Sequence, residues 1–282
     1  MADRVAVVGA GQMGNGIAHT FALSGFPVTL IDVSTDALAK ARSTIAGNLD
    51  RQIKKGAIEA GAKEPALARI TDATGVSAAS DAALVIEAAS EDPALKFRLF
   101  AALDEVVGPH AILATNTSSI SITTIAGRTR RPQRVIGMHF MNPVPMMALV
   151  EVIRGLATSD ATTATVTAIA KQIGKTPVEV NDYPGFVANR ILMPMINEAA
   201  YCVMEGVATP EAIDTVMRLG MNHPLGPLAL ADLIGLDTCV AILDVLQSGL
   251  GDPKYRACPL LRKYVAAGWL GRKSRRGFYP YD

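Results

Sequence analysis

His139 and Glu151 stand on either side of the sequence Asn142-Pro143-Val144-Pro145. The apolar runs 135–140 and 149–153 read as strands, and the two prolines cannot continue a strand interior, so the chain must turn between them. The second strand then returns along the first and brings Glu151 beside His139. An imidazole can move a proton near neutral pH, and a neighbouring carboxylate fixes its tautomer and supports its charged form. Proton transfer is the chemistry this pair predicts. A second cluster, Thr115-Asn116-Thr117-Ser118-Ser119, follows the apolar run 111–114. It falls at the carboxyl end of a strand, where open α/β sheets bind their ligands. Capping of the helix that follows, 122–126, accounts for Ser119 or Ser121 but not for all five residues.

A third stretch supplies a cofactor for such chemistry. Residues 5–8 are small or β-branched and apolar, and Gly9, Gly11 and Gly14 follow at the spacing GxGxxG, with Gln12 and Met13 between the last two. Gly9 permits the tight turn, Gly11 lets a pyrophosphate approach the backbone, and Gly14 allows close packing of helix on strand. The phosphates then meet the N-terminus of the helix carrying Ile17, Ala18 and Phe21. The next apolar run, 28–31, ends at Asp32, whose carboxylate can accept both ribose hydroxyls and would repel the extra phosphate of NADP. NAD is therefore the predicted cofactor.

These residues require an α/β fold to hold them. Strand, helix and strand alternate from residue 5 to residue 180: apolar runs at 69–71, 83–88 and 176–180 are the further strands, and helical patterns begin at Ser34 or Thr35, Pro93, and Ser159 or Asp160. The first long helix ends near Gly56, and Arg51, Lys54 and Lys55 in its last turns either complement the helix dipole or meet phosphates of a large anionic substrate. Lys96 is electrostatically misplaced in the first turn of its helix, which favours a job for it, while His19 reads as a partly exposed helix residue. The composition changes at 181–185. The expected organisation is a Rossmann-type doubly wound sheet over residues 1–183, followed by an all-helical domain over 184–282. In that second domain 187–204 is apolar on more than one face, a further helix is expected from about 228 to 246, and contact with a second subunit follows from the small core.

Composition excludes several classes of function. A formal net charge of +1 gives no pull toward nucleic acid or membrane, and no apolar run is long enough to span a bilayer. Three scattered cysteines form no zinc motif and suit a reducing compartment. No metal site is predicted, and a cytoplasmic protein is expected.

Taken together, GAGQMGNGIA, VIEAASED, NTSSI, GMHFMNPVPMMALVEVI, GFVANRI, NHPLGPLALADLIGLD and GRKSRRGFY resemble the 3-hydroxyacyl-CoA dehydrogenase family over essentially the whole chain, closest to its short bacterial 3-hydroxybutyryl-CoA members. The resemblance implies an NAD-dependent enzyme with His139 as catalytic base, Glu151 as its partner, and Ser118 and Asn189 holding the reacting oxygen and the thioester. It implies NAD contacts from Glu91, Lys96, Ser118, Asn142 and Lys273, CoA contact from Lys55, and a homodimer through the helical domain. Two positions depart from the pattern: Arg275 stands where the family usually has Gly, and Asn48, on the CoA-contacting helix, where some relatives have Ser. Two rival readings are a same-fold dehydrogenase of a free hydroxy acid and a non-catalytic NAD-binding protein. The first would need a carboxylate clamp, and the second would need none of Ser118, His139, Glu151 and Asn189.

Overall fold

Short apolar runs separated by helical patterns suit a mostly parallel sheet whose faces are covered by helices. The computed structural model, which describes residues 3–282, has this arrangement in the part of the chain ending at Asp182. Strands β1 (Val5–Val8), β2 (Val28–Ile31), β3 (Ile70–Ala73), β4 (Leu84–Glu87), β5 (Ile112–Thr115), β6 (Val135–Phe140), β7 (Leu149–Arg154) and β8 (Thr176–Asn181) form one sheet in the order 3-2-1-4-5-6-7-8. All neighbours are parallel except β6 and β7. The chain moves outward from β1 through β3 and then returns to place β4 beside β1, which creates the switch point where such sheets open a ligand crevice.

Helices α1 (Gln12–Leu23), α2 (Thr35–Lys54), α3 (Lys63–Ala68), α4 (Pro93–Val106), α5 (Ile122–Ala126) and α6 (Asp160–Gln172) belong to this unit. The starts of α2, α4, α5 and α6 are fixed by side chains that accept a free first-turn amide. Ser34 accepts from Ala37, Asp92 from Leu95, Ser121 from Thr124 and Ser159 from Thr162. The core runs from Val5, Val7 and Leu30 through Ile17, Phe21, Ile45 and Leu49 to Ile136 and Val150. His19, expected to be partly exposed, is instead only 1% exposed. Its Nε2 lies 2.9 Å from Gln52 Oε1 on α2, which supplies a buried imidazole with a polar partner.

From Tyr183 onward the chain is helical: α7 (Ala188–Met204), α8 (Pro210–Gly220), α9 (Pro227–Ile234), α10 (Leu236–Leu250) and α11 (Pro259–Ala266). Met193, Ile196, Ala200, Leu228, Leu236, Leu243 and Leu261 form its core. The single helix expected over 228–246 is two helices, because Gly235 takes φ +105°, outside the helical range, and separates α9 from α10. α7 is not buried on all its apolar faces: Met193 and Ile196 are inside, whereas Ile191 is 68% exposed. Two buried carboxylates tie this unit together. Asp214 accepts from the amides of Leu228 and Ala229 at the start of α9, and Asp232 accepts from the amides of Phe278 and Tyr279. No helix among the described residues is long and apolar enough to cross a membrane.

Candidate active site

β1 delivers the chain to Gly9 at φ +104°, where a Cβ would lie 2.6 Å from Ala88 O. A Cβ on Gly14 would lie 1.7 Å from Gly9 O, so the turn and the close seat of α1 both require glycine there. In front of Gly11 nothing lies within 4 Å. Open space at the N-terminus of α1, with backbone amides free of side-chain caps, fits a bound pyrophosphate. Gln12 donates to Asn142 Oδ1 at 3.1 Å, which links this turn to the segment after β6. Met13 follows in the first turn of α1. Asp32, at the carboxyl end of β2, accepts from Ala10 N at 2.8 Å and Ser34 N at 3.0 Å, so its carboxylate is aimed at the glycine turn.

Antiparallel pairing of β6 with β7 sets His139 directly opposite Glu151. Cross-strand neighbours of this kind bring side chains into contact. The result is a 2.7 Å contact between His139 Nδ1 and Glu151 Oε2, with both side chains almost wholly buried. A carboxylate can only accept, so Nδ1 carries the proton and the neutral ring presents Nε2 as its acceptor. Ser118 Oγ lies 2.9 Å from that Nε2. The arrangement can take a proton from a hydroxyl at Nε2 and return it to a carbonyl oxygen, while Glu151 stabilises the imidazolium formed between the two.

The loop carrying Ser118 is held from beneath. Asn116 Oδ1 accepts from Phe140 N at 2.9 Å, next to His139 in β6. Glu91 Oε1 accepts from Thr117 Oγ1 at 2.5 Å, Ser118 N at 2.9 Å, Ser119 N at 3.0 Å and Ser119 Oγ at 2.9 Å. Burial would push the Glu91 carboxyl up, but the Lys96 ammonium and these donors outweigh it and hold the carboxyl below its usual range. Lys96 is 1% exposed and pairs with Glu87, which is wholly buried at the end of β4. Of the five polar residues 115–119, then, Thr115, Asn116, Thr117 and Ser119 serve the loop's own architecture, and Ser118 meets the imidazole.

The cation-rich end of α2 borders a cleft of about 310 Å³ lined by Asn48, Arg51, Gln52, Lys55 and Ala57 on one side and by Pro143, Pro145 and Met146 on the other. Arg51 donates to Asn48 Oδ1. The proline-rich wall is fixed by Lys175, whose buried Nζ donates to Val144 O at 2.5 Å and Met147 O at 2.8 Å. In the helical unit, Asn189 is buried in the first turn of α7. Lys273 pairs with Asp237 at 2.5 Å. Arg275, two residues on, has φ +60°, a left-handed conformation that favours glycine.

Glu87, Asn116 as an anchor, and Lys175 were missed by sequence reasoning. Glu87 had a readable signal, since a carboxylate closing an otherwise apolar buried strand demands a partner. Lys175 had none, because its acceptors are carbonyls of residues distant in sequence.

The chain was compared with known proteins. Residues 4–183 match the family described as 3-hydroxyacyl-CoA dehydrogenase, NAD binding domain, and residues 185–281 match its C-terminal domain. A probable 3-hydroxybutyryl-CoA dehydrogenase of Bacillus subtilis (strain 168) is 60% identical over 279 residues, which is 99% of this chain and 97% of that protein. The 3-hydroxybutyryl-CoA dehydrogenase of Bradyrhizobium diazoefficiens is 56% identical over 99% of this chain and 95% of its own length. Among solved structures, (S)-3-hydroxybutyryl-CoA dehydrogenase from Ralstonia eutropha superposes with a TM-score of 0.97 at 53% identity, covering all of both chains.

Proposed function

The chain belongs to the 3-hydroxyacyl-CoA dehydrogenase family of NAD-dependent oxidoreductases, and from that premise we propose that it interconverts a short-chain (S)-3-hydroxyacyl-CoA and the 3-ketoacyl-CoA, with His139 as the general base. The observation that carries the mechanism is the His139 ring held between Glu151 on Nδ1 and Ser118 on Nε2. NAD, when bound, supplies the hydride acceptor for carbon 3. In oxidation His139 Nε2 takes the proton of the 3-hydroxyl, and Glu151 stabilises the resulting imidazolium; in reduction the imidazolium returns that proton to the ketone oxygen. Ser118, hydrogen-bonded to the same nitrogen, orients the reacting oxygen, and Asn189 holds the thioester.

Gly9, Gly11, Gln12, Met13 and Gly14 present the phosphate-binding turn, and Asp32 holds the adenosine ribose, in keeping with its bond to Ala10 N. Glu91, Lys96, Asn142 and Lys273 complete the NAD contacts. Asn48 and Lys55 receive the CoA moiety, supported by their shared cleft. The active form is a homodimer through the helical unit. Supporting this are the exposed apolar residues Val187 and Ile191 of one region and Val216 and Leu219 of another, each between 48% and 77% exposed. Action in the cytoplasm agrees with three cysteines that form no disulfide.

The test is NADH consumption with acetoacetyl-CoA by the wild type and by His139→Gln, with NADPH and free acetoacetate as parallel arms. Turnover that requires the CoA moiety and NADH, and that falls about 10³-fold in the variant, is expected. Equal rates with free acetoacetate would replace this reading with a hydroxy-acid dehydrogenase.

A further inference from the structure

A wholly buried carboxylate, that of Glu87, is hydrogen-bonded to groups that lead to the loop carrying Ser118. Glu87 is 0% exposed and ends β4, beside β5, whose final residue Thr115 is its register partner. Three groups donate to its carboxylate. Lys96 Nζ donates to its two oxygens at 2.7 and 2.8 Å, Thr115 Oγ1 donates to Oε2 at 2.7 Å, and Ala89 N donates to Oε1 at 2.7 Å. From these bonds two arms lead to one loop. In the first, Lys96 Nζ reaches Glu91 Oε2 at 3.4 Å, and the other oxygen of Glu91 gathers the Ser118 and Ser119 amides and the Thr117 hydroxyl. In the second, Thr115 Oγ1, having given its proton to Glu87, accepts from Thr117 N at 3.2 Å.

We propose that Glu87 is a positioning residue for the reaction: through Lys96 and Thr115 it fixes the backbone of residues 117–119 and so the placement of Ser118 Oγ against His139 Nε2. Its charge sets the geometry of the first arm. Lys96 is shared by two carboxylates, and the shorter pair with Glu87 keeps the ammonium from closing on Glu91. Remove the charge of Glu87 and the ammonium moves to the remaining carboxylate, drawing it toward Lys96 and away from the loop donors gathered on its other oxygen. The second arm weakens at the same time, because a neutral amide accepts less strongly from the Thr115 hydroxyl. The loop then loses both ties, and displacement of a reacting group by about 1 Å can cost on the order of 10²-fold in rate.

The inference rests on the proposed function for its catalytic consequence but not for its structural one, and the experiment reads the two separately. Glu87→Gln keeps the shape of the side chain and removes its charge. Amide hydrogen exchange at Thr117, Ser118 and Ser119 of the protein without ligands reads loop position, and should accelerate about tenfold or more while amides of β1 and β2 stay unchanged. With acetoacetyl-CoA and NADH, kcat should fall by about one to two orders of magnitude, with the acid and alkaline limbs of the kcat profile displaced, and NADH affinity should fall as well, because Lys96 and Glu91, which the substitution shifts, are proposed NAD contacts. Thr115→Val, which removes only the second arm, should give the same change in exchange, kcat and pH profile with a smaller loss and with NADH affinity from fluorescence titration within about threefold of wild type, and decides the matter if Glu87→Gln does not fold. Wild-type exchange at the three amides together with wild-type kcat and pH profile, in whichever variant folds, overturns the proposal. Faster exchange in a protein whose wild type reduces no 3-ketoacyl-CoA would support the positioning role and remove the proposed substrate.

Discussion

Two acid–base pairs lie buried in the sheet-containing unit, and they differ in what surrounds the base. In Lys96 and Glu87 the ammonium donates to both carboxylate oxygens and approaches Ala89 O and Glu91, and the pair is sealed at 1% and 0% exposure. In His139 and Glu151 the base uses one nitrogen for its carboxylate and turns the other toward Ser118 Oγ, a contact that is only part-buried. Burial of a charged pair is therefore not the mark of a reactive group. The imidazole has a second nitrogen that can accept a proton, so its pairing with a buried carboxylate suits proton transfer. The ammonium has donors only and spends them on Glu87, a pairing that suits holding geometry.

The strongest way to break this contrast is Glu151→Gln. It leaves the ring in place but can offer Nδ1 a donor as readily as an acceptor, and it removes the charge opposite the imidazolium. kcat with acetoacetyl-CoA should fall about 10²- to 10³-fold while NADH affinity stays within a few fold; matching losses in both would return Glu151 to a structural role. For the sealed pair the large effect is on stability. Lys96→Met strands a buried carboxylate and should cost about 3–5 kcal/mol in urea unfolding, whereas Lys96→Met combined with Glu87→Gln should recover at least half of that. A third buried cation sharpens the comparison, since Lys175 is held by carbonyls alone and burial pushes its ammonium down from the usual lysine range. Lys175→Met should release the wall of the cleft and raise KM for acetoacetyl-CoA about tenfold, near 1.4 kcal/mol, leaving KM for NADH within twofold.

What could be read from sequence divides along the same line. The glycine turn, Asp32 and the pairing of His139 with Glu151 were legible because each is fixed by local rules: a spacing, a strand end, and a turn that returns one strand along its neighbour. Lys96 was readable as an anomaly, a cation at the wrong end of a helix, but not its partner, because nothing in the sequence says that β4 and α4 bring residues 87 and 96 together. The exposure of His19 was misjudged for a related reason. Helical periodicity placed it on α1 without revealing that α2 packs over it with Gln52 as partner. The break at Gly235 was missed because the apolar pattern runs on through it, and only the left-handed backbone there ends α9.

The smallest effect compares the two units through carboxylates of opposite character. Asp104, in α4, would be pushed up by burial, but the Arg130 amide and the Arg131 and Arg130 side chains outweigh this and hold it below the usual carboxylate range. The unfolded chain then binds its proton more readily, so the stability it contributes is complete above the usual carboxylate range and is lost as pH falls through the lowered value. Asp232, in α9, shifts the other way: burial raises it above that range, against the donors from Tyr279, Phe278 and Tyr281 and with the added repulsion of Asp214. There the folded state holds the proton more tightly, and its contribution grows as pH falls from the raised value to the unfolded one. In urea titrations between about pH 5.5 and pH 3, Asp104→Asn should flatten the decline of stability with acid, and Asp232→Asn should steepen it. Slopes that change in the same direction in both variants would mean that the two carboxylates are not opposed, and that the hydrogen bonds to Asp232 outweigh its burial.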